Sequence, residues 1–166
     1  FRSSIVYQNV VITLALLLLS GGAIVAAIDY NLKQSLMADA RTDARDAIRA
    51  MAVLSDMRLD GFDVVIKGGE LVSVKAEAIP ALSDHDLVDC TADSIAGVAT
   101  MFQTQGSEYV RISTNLKKED GSRAMGTVLA PDHPGQAFLA RGEAYYGEAL
   151  LFGRSFMTGY EPVKNG

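Results

Sequence analysis

From Ser3 to Ile28 the chain carries no Asp, Glu, Lys or Arg. The centre of that run, residues 5–28, reads IVYQNVVITLALLLLSGGAIVAAI. So long an uncharged stretch constrains the fold strongly, because it must be hidden in lipid or in a large core. A helix rises about 1.5 Å per residue and a bilayer's hydrocarbon layer is about 30 Å thick, so the run is long enough to cross. A signal peptide is the competing reading, with AIVAAID as a small-residue cleavage site, but such apolar regions usually span only about 7–15 residues. Residues 5–28 are therefore expected to form an uncleaved transmembrane helix. Arg2 precedes it and Asp29 follows, which assigns residues 1–4 to the cytoplasm and the remainder to the outside. The chain starts with Phe rather than Met and is expected to begin inside a longer gene product.

The next stretch, DYNLKQSLMADARTDARDAIRAMAVLSDMR, contains neither Pro nor Gly and is rich in good helix formers. Met37, Ala40, Ala44, Ala47, Met51 and Leu54 recur at three/four spacing and form one stripe. Asp39, Thr42, Asp43, Asp46 and Arg49 lie largely off it. Residues 29–60 thus read as a long helix continuing from the membrane. Its small residues permit a twin helix to approach closely in a homodimer, while the same stripe can cover the domain's own sheet.

Composition changes at Gly61. FDVVIKGGELVSVKA has two β-rich arms around Gly68-Gly69 and reads as a hairpin. GVATMFQTQGSEYVRIST is a second hairpin about Gly106, and EAYYGEALLFGRSFMTGYEPV a third, turning near Gly153. Between them SDHDLVDCTADSI reads as a short helix with Ser83 as N-cap and Asp84 and Asp86 in its first turn. HPGQAFLARG reads as another, closed by Gly142. Antiparallel strands interrupted by short helices make residues 61–166 an α+β domain. Asn165-Gly166 is a turn signal, so a further strand is expected and the sequence reads as cut within a sheet.

The net charge of −5 and pI near 5.0 argue against a nucleic-acid partner. The single cysteine, Cys90, cannot form an intramolecular disulfide. His85 and Asp89 stand at i,i+4 with Cys90 adjacent, a spacing that could serve a metal-dependent membrane-anchored hydrolase. No third clustered ligand accompanies them, and acidic residues there suit a helix N-terminus. His133, between Asp132 and Pro134, reads as a turn residue. The sequence contains no nucleophile elbow, P-loop or dinucleotide fingerprint, so an enzyme is not expected and no cofactor is implied.

Arg111 is the residue that calls for a chemical reason. In EYVRIST, strand alternation puts Tyr109, Arg111 and Ser113 on one face and Val110 and Ile112 on the other. With the apolar face on the long helix, Arg111 looks the opposite way, where an unpaired guanidinium is costly and a carboxylate fits its fork. Tyr145 or Tyr146, Arg154, Thr158 and Tyr160 come from the third hairpin, and Lys117, Lys118 and Arg123 from the intervening loop. Cations and hydroxyls converging in this way suit a small anion. An internal ion pair with Glu148 or Glu161, in a scaffold without a ligand, is the plainer alternative.

The segments GVATMFQ, YVRISTNLKKEDGSRAMGTVL and GEAYYGEALLFGRSFMTGYEPV, in this order, resemble the single Cache sensor domains of bacterial transmembrane receptors. The likeness covers about residues 61–166 and is nearest to methyl-accepting chemotaxis proteins. It implies a PAS-like antiparallel sheet against the long N-terminal helix, here lacking its last strand. It also implies a small ligand, often a short carboxylate, on the sheet's other face. On that likeness Arg111, Ser113, Tyr146, Arg154 and Tyr160 are pocket residues, Lys117 stands at the rim, and the basic loop is a lid. It implies a chemoreceptor input region in the bacterial inner membrane with its sensor outside. A sensor kinase or diguanylate cyclase would share the same domain with a different output.

Overall fold

The structure, a computed structural model, describes the backbone of residues 2–79, 82, 84–151 and 154–166, and their side chains except those of 2–6, 151 and 154. Helix α1 runs from Arg2 to Arg58. No proline interrupts it, so the backbone ladder continues through the change from apolar to charged sequence. Residues 1–40 and 41–166 form two separate compact units.

In the first unit the apolar part of α1 is uncovered: Leu18 is 77% and Leu19 71% exposed. The helix contains an 18-residue window of mean hydropathy 2.5, none of it buried. By length and composition it can cross a membrane, and lipid is the solvent such a surface suits.

The second unit is α+β. Strands β1 (Phe62–Lys67) and β2 (Glu70–Ala76) form the first hairpin. Its two linking residues, Gly68 and Gly69, have φ of +59° and +87°, the left-handed backbone that a two-residue hairpin turn requires. Helix α2 (Asp86–Ile95) follows, then β3 (Thr100–Gln105) and β4 (Glu108–Thr114), joined through Gly106. A four-residue helix, α3 (Gln136–Leu139), ends as expected at Gly142, whose φ is +68° and whose N–H donates to Leu139 O. Strands β5 (Tyr145–Leu151) and β6 (Arg154–Tyr160) form the third hairpin. The turn expected near Gly153 lies outside the described residues.

One local expectation is corrected. Helix α2 starts at Asp86, with His85 in the N-cap position and no side-chain cap bond. Asp84 therefore precedes the first turn instead of lying in it, and its Oδ1 accepts the Asp86 N–H at 3.1 Å. The expected cap, Ser83, lies outside the described residues. Val163–Asn165 is a short strand, β7, parallel to Val74–Ala76 of β2, and the Gly166 N–H donates to Ala76 O. The open edge of β2 supplies donors and acceptors that the segment satisfies by pairing.

Among the described strands there are three hydrogen-bonded groups: β1-β2-β7, β3-β4 and β5-β6. All pairs but β2-β7 are antiparallel. The core gathers Leu87, Val88 and Ala92 of α2 with Ala99 and Met101, and is closed by Met51 and Leu54 of α1 and Ile112 of β4. The apolar face of β4 thus turns toward the long helix, as alternation predicts. Along the α1 stripe Ala40, Ala44 and Ala47 are half-buried. From Ala44 onward the helix covers its own domain.

The contact of α1 with the third hairpin depends on Gly159. A Cβ there would come within 2.9 Å of Ile48 Cγ1 and 3.1 Å of the Tyr146 ring. Substituting alanine for a strand glycine ordinarily gains some tenths of a kcal/mol in chain entropy, whereas overpacking costs about 1–3 kcal/mol, so the clash decides the sign. Gly159→Ala is expected to lower the denaturant midpoint without changing the slope. A midpoint equal to or above that of the parent would show that α1 does not pack there.

Candidate functional site

Strand β4 positions the candidate site. Phe102 of β3 pairs opposite Arg111, and the guanidinium carbon lies 4.9 Å from the Phe102 ring centre. On the other side of β4, the Gly126–Leu129 segment runs alongside. The Arg111 N–H donates to Thr127 O, the Gly126 N–H to Arg111 O, and the Leu129 N–H to Tyr109 O. From the same segment Thr127 Oγ1 and Val128 O accept from Arg111 Nη1 at 2.8 and 3.3 Å. Arg111 is only 8% exposed, and its Nε–H is buried with no acceptor among the described residues.

No carboxylate pairs with it among the described residues. The two acids that could have done so are engaged elsewhere: Glu148 Oε1 accepts from Ser155 Oγ and Glu161 Oε2 from the Tyr146 hydroxyl. Burial pushes the guanidinium's pKa down from its ordinary value, partly offset by Tyr160. A cation–π contact is worth about 0.5–2 kcal/mol and a neutral hydrogen bond about 1 kcal/mol. Burying a lone ion costs several kcal/mol, so these partners leave the charge under-compensated.

The third hairpin completes an aromatic enclosure. Tyr145 pairs opposite Tyr160, and Tyr146 opposite Gly159, so the two adjacent tyrosines take opposite faces. The Tyr160 ring centre lies 6.1 Å from that of Phe102, 6.5 Å from Tyr145 and 4.8 Å from His133, which it meets edge-on. Burial pushes the Tyr160 hydroxyl's pKa up, and Arg111 draws it partly back. His133 is 5% exposed. Its Nδ1 accepts the Gly135 N–H at 3.0 Å, while Nε2 is buried without an acceptor among the described residues.

The residues expected to share a pocket are thus divided. Arg111 and Tyr160 come together. Tyr146 does not join them: it faces α1, under Arg45 at 5.4 Å, and its hydroxyl is bonded to Glu161. Burial is the main cause of the upward pKa shift of both Tyr146 and Glu161. Ser113 is buried and is hydrogen-bonded to His85 Nδ1 at 2.8 Å. Lys117 is exposed on the loop, beside Arg123. Arg154 opens β6, and its side chain lies outside the described residues. Phe102 and His133 were not expected. Strand parity around Arg111 could have indicated Phe102, but His133 sits in an irregular segment with no period to read.

The basic loop is held rather than open. Arg123 makes a two-pronged ion pair with Asp89 of α2, at 2.7 Å for each bond, and also donates to Thr114 O. The His85, Asp89 and Cys90 spacing is spent on other partners: Ser113, Arg123 and, at 3.6 Å, Arg58. No cluster of three metal-ligating side chains occurs among the described residues. Two surface clefts lie apart from Arg111. One of about 330 Å³ runs along Asn9–Leu17, and one of about 350 Å³ lies between β1, β2 and Gly166. The first is a groove on the uncovered apolar helix, and the second offers Lys75 beside Asp63 and Glu77. Neither has the converging donors found around Arg111.

Residues 63–166 match the Cache 3/Cache 2 fusion domain, and the chain belongs to that family. Cache domains are extracytoplasmic sensory modules that bind small molecules, and with its apolar N-terminal helix this chain is a membrane-anchored sensor input. No curated protein and no solved structure matches the chain.

His133 makes stability depend on pH. Burial and Arg111 lower its pKa, with Asp132 opposing, so the folded state resists a proton that the unfolded state accepts. This contribution is complete above the ordinary histidine value of about 6.5 and is lost as pH falls through the window below it. Thermal melts at about pH 7.5 and about pH 5.5 should show a fall in Tm, smaller in His133→Asn than in the parent. An equal fall in both would assign the acid sensitivity to other groups.

Proposed function

We propose that this chain is the input region of a transmembrane chemoreceptor and binds a short carboxylate at Arg111. The observation that carries the ligand reading is a guanidinium buried in an aromatic enclosure without a carboxylate of its own. Tyr160 adds a hydroxyl from the third hairpin, and Lys117 is the rim cation that the family likeness implies. Ser113 and Tyr146 keep their protein partners in this reading. The ligand takes the place of Thr127 Oγ1 and Val128 O at Arg111 and favours the arrangement in which the Gly126–Leu129 segment has released that side chain. The resulting shift in β4 reaches α1 through Ile112, Met51 and Leu54. The chemoreceptor output rests on the likeness of the RISTN, GSRAMGT, YYG and GYEP landmarks to those receptors.

Charge-assisted hydrogen bonds are worth roughly 1.5–3 kcal/mol each, so losing the anchor should weaken binding at least tenfold. Thermal-shift screening with short carboxylates is expected to find a stabilising ligand. Calorimetric titration of Arg111→Ala should then show the weakened affinity, with only part recovered in Arg111→Lys because a point charge lacks the fork. A folded Arg111→Ala protein with unchanged affinity would place the ligand elsewhere.

We further propose a parallel homodimer along α1, with the membrane segment at residues 5–28 bringing both chains in from one side. The half-buried Ala40, Ala44 and Ala47 leave room for a twin helix beside the covering contact. Ala44→Cys in a Cys90→Ser background should cross-link between subunits under mild oxidation. If cysteines at all three positions remain monomeric, the stripe serves only its own domain.

A further inference from the structure

We propose that His133 is the second donor of the anion site, presenting a neutral imidazole Nε2–H to the carboxylate that Arg111 anchors. The inference rests on the ligand reading above and adds the group that would read the ligand. A ring nitrogen that accepts a hydrogen bond holds no proton. Because Nδ1 takes the Gly135 N–H, the neutral ring carries its proton on Nε2. That N–H is buried and has no protein acceptor, and the Nε–H of Arg111 is in the same condition. These are the two buried side-chain nitrogens without a partner among the described residues, and Tyr160 touches His133 and acts electrostatically on Arg111.

Buried donors left unmade are expensive, and both of these belong to one aromatic enclosure. The groups facing the imidazole are Asp132 beside it, Arg111 from β4, and the rings of Tyr145 and Tyr160 from the third hairpin. Burial is the main reason the ring resists a positive charge, with Asp132 opposing and the Arg111 guanidinium adding a smaller push the same way, so the enclosure holds one cation. One cation with one neutral donor matches a single carboxylate rather than a dianion, and the flat walls of Phe102, Tyr145 and Tyr160 suit a short apolar tail. His133 thereby explains why a residue in an irregular segment is held almost fully buried by a backbone bond to Gly135.

The test uses the full chain in detergent micelles, titrated calorimetrically with formate, acetate, propionate and lactate. His133→Asn keeps an oxygen where Nδ1 accepts from Gly135 and removes the Nε2–H, whereas His133→Gln restores an N–H near the Nε2 position. The parent should bind at least one of the four acids. His133→Asn, shown by its melt to be folded, should bind it about tenfold or more weakly, and His133→Gln should recover part of the loss. The Nε2 resonance of ring-labelled His133 should move on adding that acid. Unchanged affinity in His133→Asn, together with weakened binding in Arg111→Ala, would overturn the role of His133 and leave the Arg111 site standing. Unchanged affinity in Arg111→Ala, or no binding of any of the four acids by the parent, would overturn both.

Discussion

The structure around β4 is organised by the cost of hiding one positive charge. Alternation along EYVRIST sends Ile112 into the core beneath α1 and sends Arg111 the other way, and neither can move without moving the other. The enclosure that results is built from whatever a guanidinium tolerates: an aromatic face at Phe102, a hydroxyl at Thr127, a carbonyl at Val128. Neither Glu148 nor Glu161 pairs with it. Instead both are bonded to other side chains.

How much of this could be read beforehand follows from which features have a local period. The hairpins at Gly68-Gly69 and Gly106 were legible because only certain residues reach positive φ cheaply. The opposite sides taken by Arg111 and Ile112 were legible from alternation, although the β3-β4 register shifts between Met101 and Phe102, opposite Ile112. The choice between Tyr145 and Tyr146 was not, since it depends on the register across a hairpin, and one residue of slip exchanges the faces. His133 carried no signal at all: its burial comes from distant residues converging on it. The parallel seat of β7 depends on an open edge more than eighty residues upstream, which no local pattern reveals.

The ion pair between Asp89 and Arg123 gives the loop after β4 a definite place. Arg123 is also bonded to the Thr114 carbonyl, so α2, the strand end and the loop share one side chain. Arg123 holds the Asp89 carboxyl below its usual range, and the loop that looked like a basic lid is clasped to the core helix. Of its three cations, Lys117 and Lys118 stay at the surface.

The division of the described strands into three hydrogen-bonded ribbons has a mechanical meaning. Within each ribbon, deformation must break backbone hydrogen bonds. Between β3-β4 and β5-β6 no ladder runs, and what joins them is side-chain contact such as that of Phe102 with Tyr160. Rings can slip over one another by small amounts while every backbone bond stays intact. The domain is therefore stiff along its ribbons and compliant across their seams, and one of those seams passes through the aromatic enclosure beside Arg111.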